Sequence, residues 1–155
     1  MEYYLSSPEE TERFGKVLGR CLPCGAVLCL KGDLGTGKTL LTRGVATAFG
    51  VAPQEVVSPT FTIMNIYQGT QEIRHFDLYR LEQGEELDDI GFDEYCGGDG
   101  ITVIEWADLF PERMPAEALL ISLERQGEGR KIILAGQEDI GESILEKLQH
   151  EYFGN

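Results

Sequence analysis

Gly32-Asp33-Leu34-Gly35-Thr36-Gly37-Lys38-Thr39 fits the pattern G-x-x-x-x-G-K-[S/T], and the residues flanking it decide the fold class. Upstream, Ala26-Val27-Leu28-Cys29-Leu30 is an unbroken apolar run, as expected of a parallel strand buried on both faces. Downstream, Thr39 to Phe49 has helical character and Gly50 closes it. Strand, glycine-rich loop and helix in that order make a phosphate-binding loop. Its glycines accept positive φ, so successive amides can surround a phosphate. Lys38 brings a positive charge to the β- and γ-phosphates, and the Thr39 hydroxyl is a Mg²⁺ ligand. The expected ligand is a nucleoside triphosphate with Mg²⁺.

Working outward, Tyr3 to Leu5 is a short strand. Ser7-Pro8-Glu9-Glu10 then supplies an N-cap, a proline at the first helical position and a capping-box acid. The helix it opens carries Phe14, Val17, Leu18 and Cys21 at helical spacing. Beyond the loop and its helix, Thr60 to Tyr67 and Glu72 to Arg80 are strand-like and joined by the hairpin turn Gln68-Gly69-Thr70-Gln71. Glu85 to Ile90 is a short acidic helix, Gly97-Gly98-Asp99-Gly100 a turn, and Ile101 to Ile104 a strand that ends at Glu105-Trp106. A last hairpin, Leu119 to Glu124 and Lys131 to Ala135 around Gly127-Glu128-Gly129, precedes a helix with Ile140, Ile144, Leu145, Leu148 and Tyr152 on one stripe. The order predicts an α/β, P-loop NTPase-like fold: a mixed sheet with a parallel centre, antiparallel hairpins, and helices on both faces.

Hydrolysis also needs acids that hold Mg²⁺ or its waters. Glu105 ends the Ile101–Ile104 run, where a carboxylate points at the metal from the strand tip. In Ile73-Arg74-His75-Phe76-Asp77-Leu78-Tyr79, alternation sends His75, Asp77 and Tyr79 to one face; a solvent-exposed strand face would give the same pattern. Ser58-Pro59-Thr60-Phe61 enters a strand where many P-loop proteins keep a phosphate-sensing segment, so Thr60 is a candidate for the metal or γ-phosphate; a plain serine-proline turn reads identically. Trp106 faces away from Glu105 if the strand continues. Arg80 and Arg130 are the basic groups expected near the phosphates, although either also suits a solvated surface.

Composition bounds the partners. The 155 residues are 42% hydrophobic, enough for one core, so a single P-loop domain spanning 1–155 is expected. The formal charge is −14, and Leu81 to Glu112 holds eleven acids without a Lys or Arg; such a surface repels phosphate backbones. Direct binding of DNA is disfavoured; that segment is either a solvated face or a dock for a basic partner. No run of 18 apolar residues occurs and the start lacks a basic n-region, so a cytoplasmic protein without membrane contact is expected. Cys21-Leu22-Pro23-Cys24 has C-x-x-C spacing, but zinc would need two more ligands and a redox pair should open a helix rather than follow one. Reduced, buried or half-buried thiols are expected.

Taken in order, the loop octapeptide, Ser58-Pro-Thr-Phe61, His75-Phe-Asp-Leu-Tyr-Arg80 and Ile104-Glu-Trp106 resemble the TsaE (formerly YjeE) family of small bacterial P-loop ATPases, over nearly the whole chain. The resemblance implies the ATPase component of tRNA N6-threonylcarbamoyladenosine synthesis, acting at adenosine 37 of tRNAs that read codons starting with A. It implies TsaB and TsaD as partners, dependence of the ATPase on their complex, and tRNA contact through them. By similarity the ATP set is Gly32, Asp33, Leu34, Gly35, Thr36, Gly37, Lys38, Thr39, Leu40 and Thr60, with Thr11 and Arg130 flanking the nucleotide. Lys38, Asp77 and Glu105 serve catalysis, and Thr39, Glu105 and Asp77 serve Mg²⁺ and its waters. Thr36 stands where members often have alanine.

Two other function classes fit a P-loop. A small-molecule kinase would carry a lid with several arginines, which Leu81 to Glu112 lacks; a nucleotide-gated binding module would hold ATP without hydrolysing it. A GTPase would need an Asn-Lys-x-Asp segment, whereas Asn65 and Asn155 are the only asparagines.

Overall fold

Seven strands occur among the described residues: β1 (Glu2–Leu5), β2 (Val27–Lys31), β3 (Met64–Gln68), β4 (Glu72–Asp77), β5 (Ile101–Glu105), β6 (Leu119–Gln126) and β7 (Gly129–Gly136). They form one sheet in the lateral order β1-β7-β6-β2-β5-β4-β3. The middle four, β6, β2, β5 and β4, are parallel, and the β3–β4, β6–β7 and β1–β7 pairs are antiparallel. The helices are α1 (Pro8–Arg20), α2 (Lys38–Ala48), the one-turn α3 (Glu86–Asp89) and α4 (Phe92–Tyr95), and α5 (Glu138–Phe153). This computed structural model describes residues 1–96 and 98–154; Gly97, the first residue of the turn expected at 97–100, lies outside them.

Alternation along the central strands separates two cores. Leu28 and Leu30 of β2, Ile101 and Val103 of β5 and Ile73 of β4 face Phe14, Leu18, Leu41, Val45, Ile144 and Leu148 of the three long helices. Val27, Cys29, Phe76 and Ile104 face the other way, against Leu87, Phe92 and Phe110 of the short helices and turns. Helices thus lie on both faces, the long ones all on one. Along α5, Ile144 and Leu148 are buried but Ile140 is half-exposed, so the inner stripe starts a turn later than its spacing implies.

α1 begins as its sequence dictates: the Ser7 hydroxyl accepts from the Glu10 amide at 3.1 Å, with Pro8 in the first turn. The reciprocal half of the capping box is replaced by tertiary bonds, because the Glu10 carboxylate takes Arg13 and the Tyr152 hydroxyl of α5. α1 and α2 then touch through glycines. A Cβ at Gly15 would stand 2.4 Å from the Leu41 carbonyl oxygen, and one at Gly44 would stand 2.1 Å from that of Glu12. Only a missing side chain on both helices lets the backbones approach so closely. That approach carries Thr11 to the loop preceding α2, where a Cβ on Gly37 would meet its Cγ2 at 3.6 Å.

The hairpin strands are shorter than expected. β3 starts at Met64 rather than Thr60, and β4 stops at Asp77 rather than Arg80. Backbone bonds from distant segments intervene: the Asp77 amide donates to the Ile63 carbonyl at 2.8 Å and the Leu78 amide to that of Glu105 at 3.1 Å. All four cysteines are free thiols, and among the described residues no helix is long and apolar enough to cross a membrane.

Candidate functional site

β2 delivers the chain into the glycine loop at the carboxyl end of the sheet, where ligands of open α/β sheets gather. Gly35 and Gly37 adopt φ of 78° and 108°, which a Cβ would strain. Gly37 caps α2 without any side-chain bond to the free amides, and no acid occupies the first turn. The helix therefore presents unpaired N–H groups and the positive end of its dipole to whatever lies in front.

In front is a pocket of about 340 Å³. Leu34, Gly35, Gly37, Lys38, Thr39 and Leu40 form its floor, while Ser58, Thr60, Asp77, Glu105 and Trp106 form the opposite wall. β4 and β5 end together, with Asp77 and Glu105 register partners, so two carboxylates arise side by side at the sheet's edge. Both are buried. Asp77 is braced from two directions: its Oδ1 accepts the Tyr79 amide and its Oδ2 accepts the Thr60 hydroxyl, each at 3.0 Å. The Ser58 hydroxyl bonds Thr60 in turn at 2.8 Å.

Lys38 is buried across from these acids. Its Nζ donates to the Gly32 and Asp33 carbonyls at 2.5 and 3.0 Å and sits 4.3 Å from the Trp106 ring centre. Burial pulls the ammonium below its ordinary pKa, while the Glu105 and Asp77 carboxylates push it back up. Trp106 would face away from Glu105 if the strand continued. Instead the strand ends there and Trp106 turns into the left-handed region at φ 61°, laying its ring against Lys38 and, at 4.8 Å between centroids, Tyr79. That conformation is unfavourable for a bulky residue. Ile63, at φ 69° on the other flank, is a second such residue.

Several expected site residues lie apart from this pocket. Gly32 and Asp33 line a neighbouring crevice with Leu123, Glu124 and Arg125. Thr11, Thr36 and Arg130 meet on the far side of the glycine loop in a smaller hollow of about 70 Å³, whose walls also include Gly35, Gly37 and Leu40. Arg130 donates to the Thr36 and Gly35 carbonyls at 3.0 and 3.2 Å, and Arg125, which sequence reasoning missed, donates to the Leu34 carbonyl at 2.6 Å. These bonds tether three carbonyls of the glycine loop to the β6–β7 hairpin. Arg80 is elsewhere, its guanidinium 4.8 Å from the exposed Phe61 ring. Tyr79 follows the end of β4 and does not share a strand face with His75 and Asp77 as alternation suggested.

His75 is on the Asp77 face, as that alternation implied, but fully buried. Its Nε2 lies 2.5 Å from Glu105 Oε2 and its Nδ1 3.0 Å from the Tyr67 hydroxyl. The partner was illegible because the parallel β4–β5 register crosses 30 residues of chain.

The donor set fits a triphosphate with Mg²⁺. Free amides and an ammonium suit phosphate oxygens. The Thr39 hydroxyl and the Asp77 and Glu105 carboxylates share the pocket, oxygen donors of the kind that hold Mg²⁺ or its waters.

Residues 5–133 match the family model described as threonylcarbamoyl adenosine biosynthesis protein TsaE. The tRNA threonylcarbamoyladenosine biosynthesis protein TsaE of Bacillus subtilis is 40% identical over 152 residues, covering 96% of this chain and 94% of that one. Its namesake in Haemophilus influenzae is 36% identical, with 86% and 87% covered. The crystal structure of Bacillus subtilis YdiB superposes with a TM-score of 0.81 at 33% identity, over 100% of this chain and 96% of that one. A mixed sheet with a parallel centre, a glycine loop facing paired carboxylates and a family match across most of the sequence lead to one conclusion: the chain belongs to the TsaE family of threonylcarbamoyl adenosine biosynthesis proteins.

Proposed function

We propose that this protein binds and hydrolyses ATP with Mg²⁺ as the energy-coupling subunit of tRNA N6-threonylcarbamoyladenosine synthesis, working with TsaB and TsaD. The observation that carries the proposal is the single pocket in which α2's free amides and Lys38 face Asp77, Glu105 and Thr60. Bound Mg²⁺ would neutralise charge on the β- and γ-phosphates and orient them for attack by water. Thr39 is the hydroxyl that would hold it, with Asp77 and Glu105 receiving its waters. The loop amides and Lys38 bind the phosphate tail, and the Asp77–Thr60 bond presents a hydroxyl from the opposite wall. Arg130 and Arg125 keep the glycine loop in shape from behind. Thr11 and Arg130 border the hollow behind the loop, a fitting place for the rest of the nucleotide.

Among the described residues Lys38 is the one cation that lines the pocket, which leaves room for a partner's arginine to meet the transition-state charge. Slow turnover alone and acceleration by a partner follow. The rim supports such docking, with Leu34 and Phe61 62% and 83% exposed. Reconstitution of tRNA modification from purified TsaB, TsaD and the threonylcarbamoyl donor, with and without this chain, tests the proposal. ATP-dependent modification only with the intact chain, lost in Lys38→Ala, is expected; modification at equal rate without the chain overturns it.

A further inference from the structure

Tyr67 and His75 are buried polar side chains that the proposed function leaves unused. Around them the core is apolar, with Val51, Val56 and Ile73 buried nearby in the same cluster as Tyr67, so a hydrocarbon pair would fit more cheaply unless the polar groups are bonded throughout. They are. His75 Nε2 and Glu105 Oε2 share a proton across a 2.5 Å contact. The Tyr67 hydroxyl stands 3.0 Å from both His75 Nδ1 and the Val57 carbonyl. The hydroxyl donates its one proton to that carbonyl, which also takes the Asn65 amide at 3.2 Å, so the phenol oxygen accepts from His75 Nδ1. Burial raises the Tyr67 pKa, so the phenol keeps its proton. The result is a continuous chain from Val57 through Tyr67 and His75 to Glu105.

Val57 is the root of the Ser58–Thr60 segment, whose other anchor is the Thr60–Asp77 bond. The segment is therefore tied at one end to the carboxylate of β4 and at the other, through two side chains, to that of β5. Resting on the ATP·Mg²⁺ reading of the pocket, we propose that His75 and Tyr67 are positioning residues: they fix the Glu105 carboxylate and couple it to the Val57–Thr60 segment, so that both walls of the pocket adjust together. Neither touches the pocket itself. Nucleotide affinity, which belongs to the glycine loop and Lys38, stays with those groups, and the relay governs turnover.

The test uses the full chain in complex with TsaB and TsaD. It reads kcat for ATP hydrolysis with Mg²⁺ and, separately, the Kd of a non-hydrolysable ATP analogue by calorimetry. Tyr67→Phe, which keeps the ring, and His75→Leu are expected to lower kcat by roughly 10-fold or more while Kd stays within about 3-fold, the usual scale for groups that orient an active-site ligand. His75→Gln, whose amide sets an N–H near the place of Nε2, is expected to restore most of kcat. Unchanged kcat in Tyr67→Phe and His75→Leu beside an active wild type sinks this inference and leaves the ATPase reading standing. So does loss of kcat, Kd and melting temperature together without rescue by glutamine. If His75→Leu fails to fold, Tyr67→Phe and His75→Gln decide. A wild-type complex that neither binds nor hydrolyses ATP overturns both.

Discussion

Lys38 connects most of the pocket's chemistry. Its ammonium is buried, bonded to two loop carbonyls and held against the Trp106 ring. Turning it toward a phosphate tail would exchange those partners for anionic oxygens, and charged hydrogen bonds of that kind are worth about 1.5–3 kcal/mol. Lys38→Ala is therefore expected to weaken binding of ATP with Mg²⁺ by roughly 10–100-fold, measured by calorimetry; an unchanged Kd would remove the lysine from the site. Trp106 is the only tryptophan, so emission from wild-type protein should shift when ATP and Mg²⁺ are added, and in Lys38→Ala the shift should be absent at the same nucleotide concentration. Much of this was legible: the loop pattern names Lys38, and strand position names Glu105. The Trp106 orientation was not, because alternation holds only while a strand continues, and β5 ends where the Leu78 amide captures the Glu105 carbonyl.

Among the elements, α1 and α2 depend on each other at their glycines. An alanine at Gly44 gains helix propensity of about 1 kcal/mol but puts a methyl 2.1 Å from the Glu12 backbone oxygen, and neither backbone can yield without parting the helices. A clash this close sits at the upper end of overpacking costs, about 3 kcal/mol, and outweighs that gain. Gly44→Ala is expected to lower the melting temperature by roughly 4–8 °C, for a loss near 2 kcal/mol in a chain of this size. Scanning calorimetry checks this, and a melting temperature at or above wild type would mean the helices slide apart freely. The helices themselves were readable from apolar spacing and the Ser7-Pro8 cap. Their close contact was not, since a helical glycine looks the same in sequence whether it faces solvent or another backbone. The Thr60–Ile63 stretch was misread as strand for a related reason: its bonds go to Asp77 across the hairpin instead of along a ladder.

Across the whole molecule, ionisation sets two expectations. Burial pushes the Cys29 and Cys96 thiols up to about 12 and Cys21 up to about 11, from an ordinary 9.0. A folded-state value above the unfolded one stabilises fully below pH 9 and is lost as pH rises toward the folded value, because only the unfolded chain then releases the proton. Each such thiol contributes a fall of about 1.4 kcal/mol per pH unit over that window. Cys29→Ala should lose stability at pH 7 yet show a shallower decline between pH 9 and 10.5 in urea denaturation; parallel curves would refute the assignment. The second expectation follows from the charge of −14: the isolated chain should give no tRNA complex at physiological salt in a gel shift, and a salt-sensitive complex would contradict the idea that partners hold the RNA.

Arg125 and Arg130 arise on the β6–β7 hairpin, facing register partners that reach more than 90 residues back to brace the Leu34, Gly35 and Thr36 carbonyls. The cradle is thus not a transplantable cassette. A minigene encoding only residues 26–48, spliced into a foreign scaffold, would carry the fingerprint and lack its buttress. An ancestor built from that fragment alone would have needed some other prop before it could grip a nucleotide.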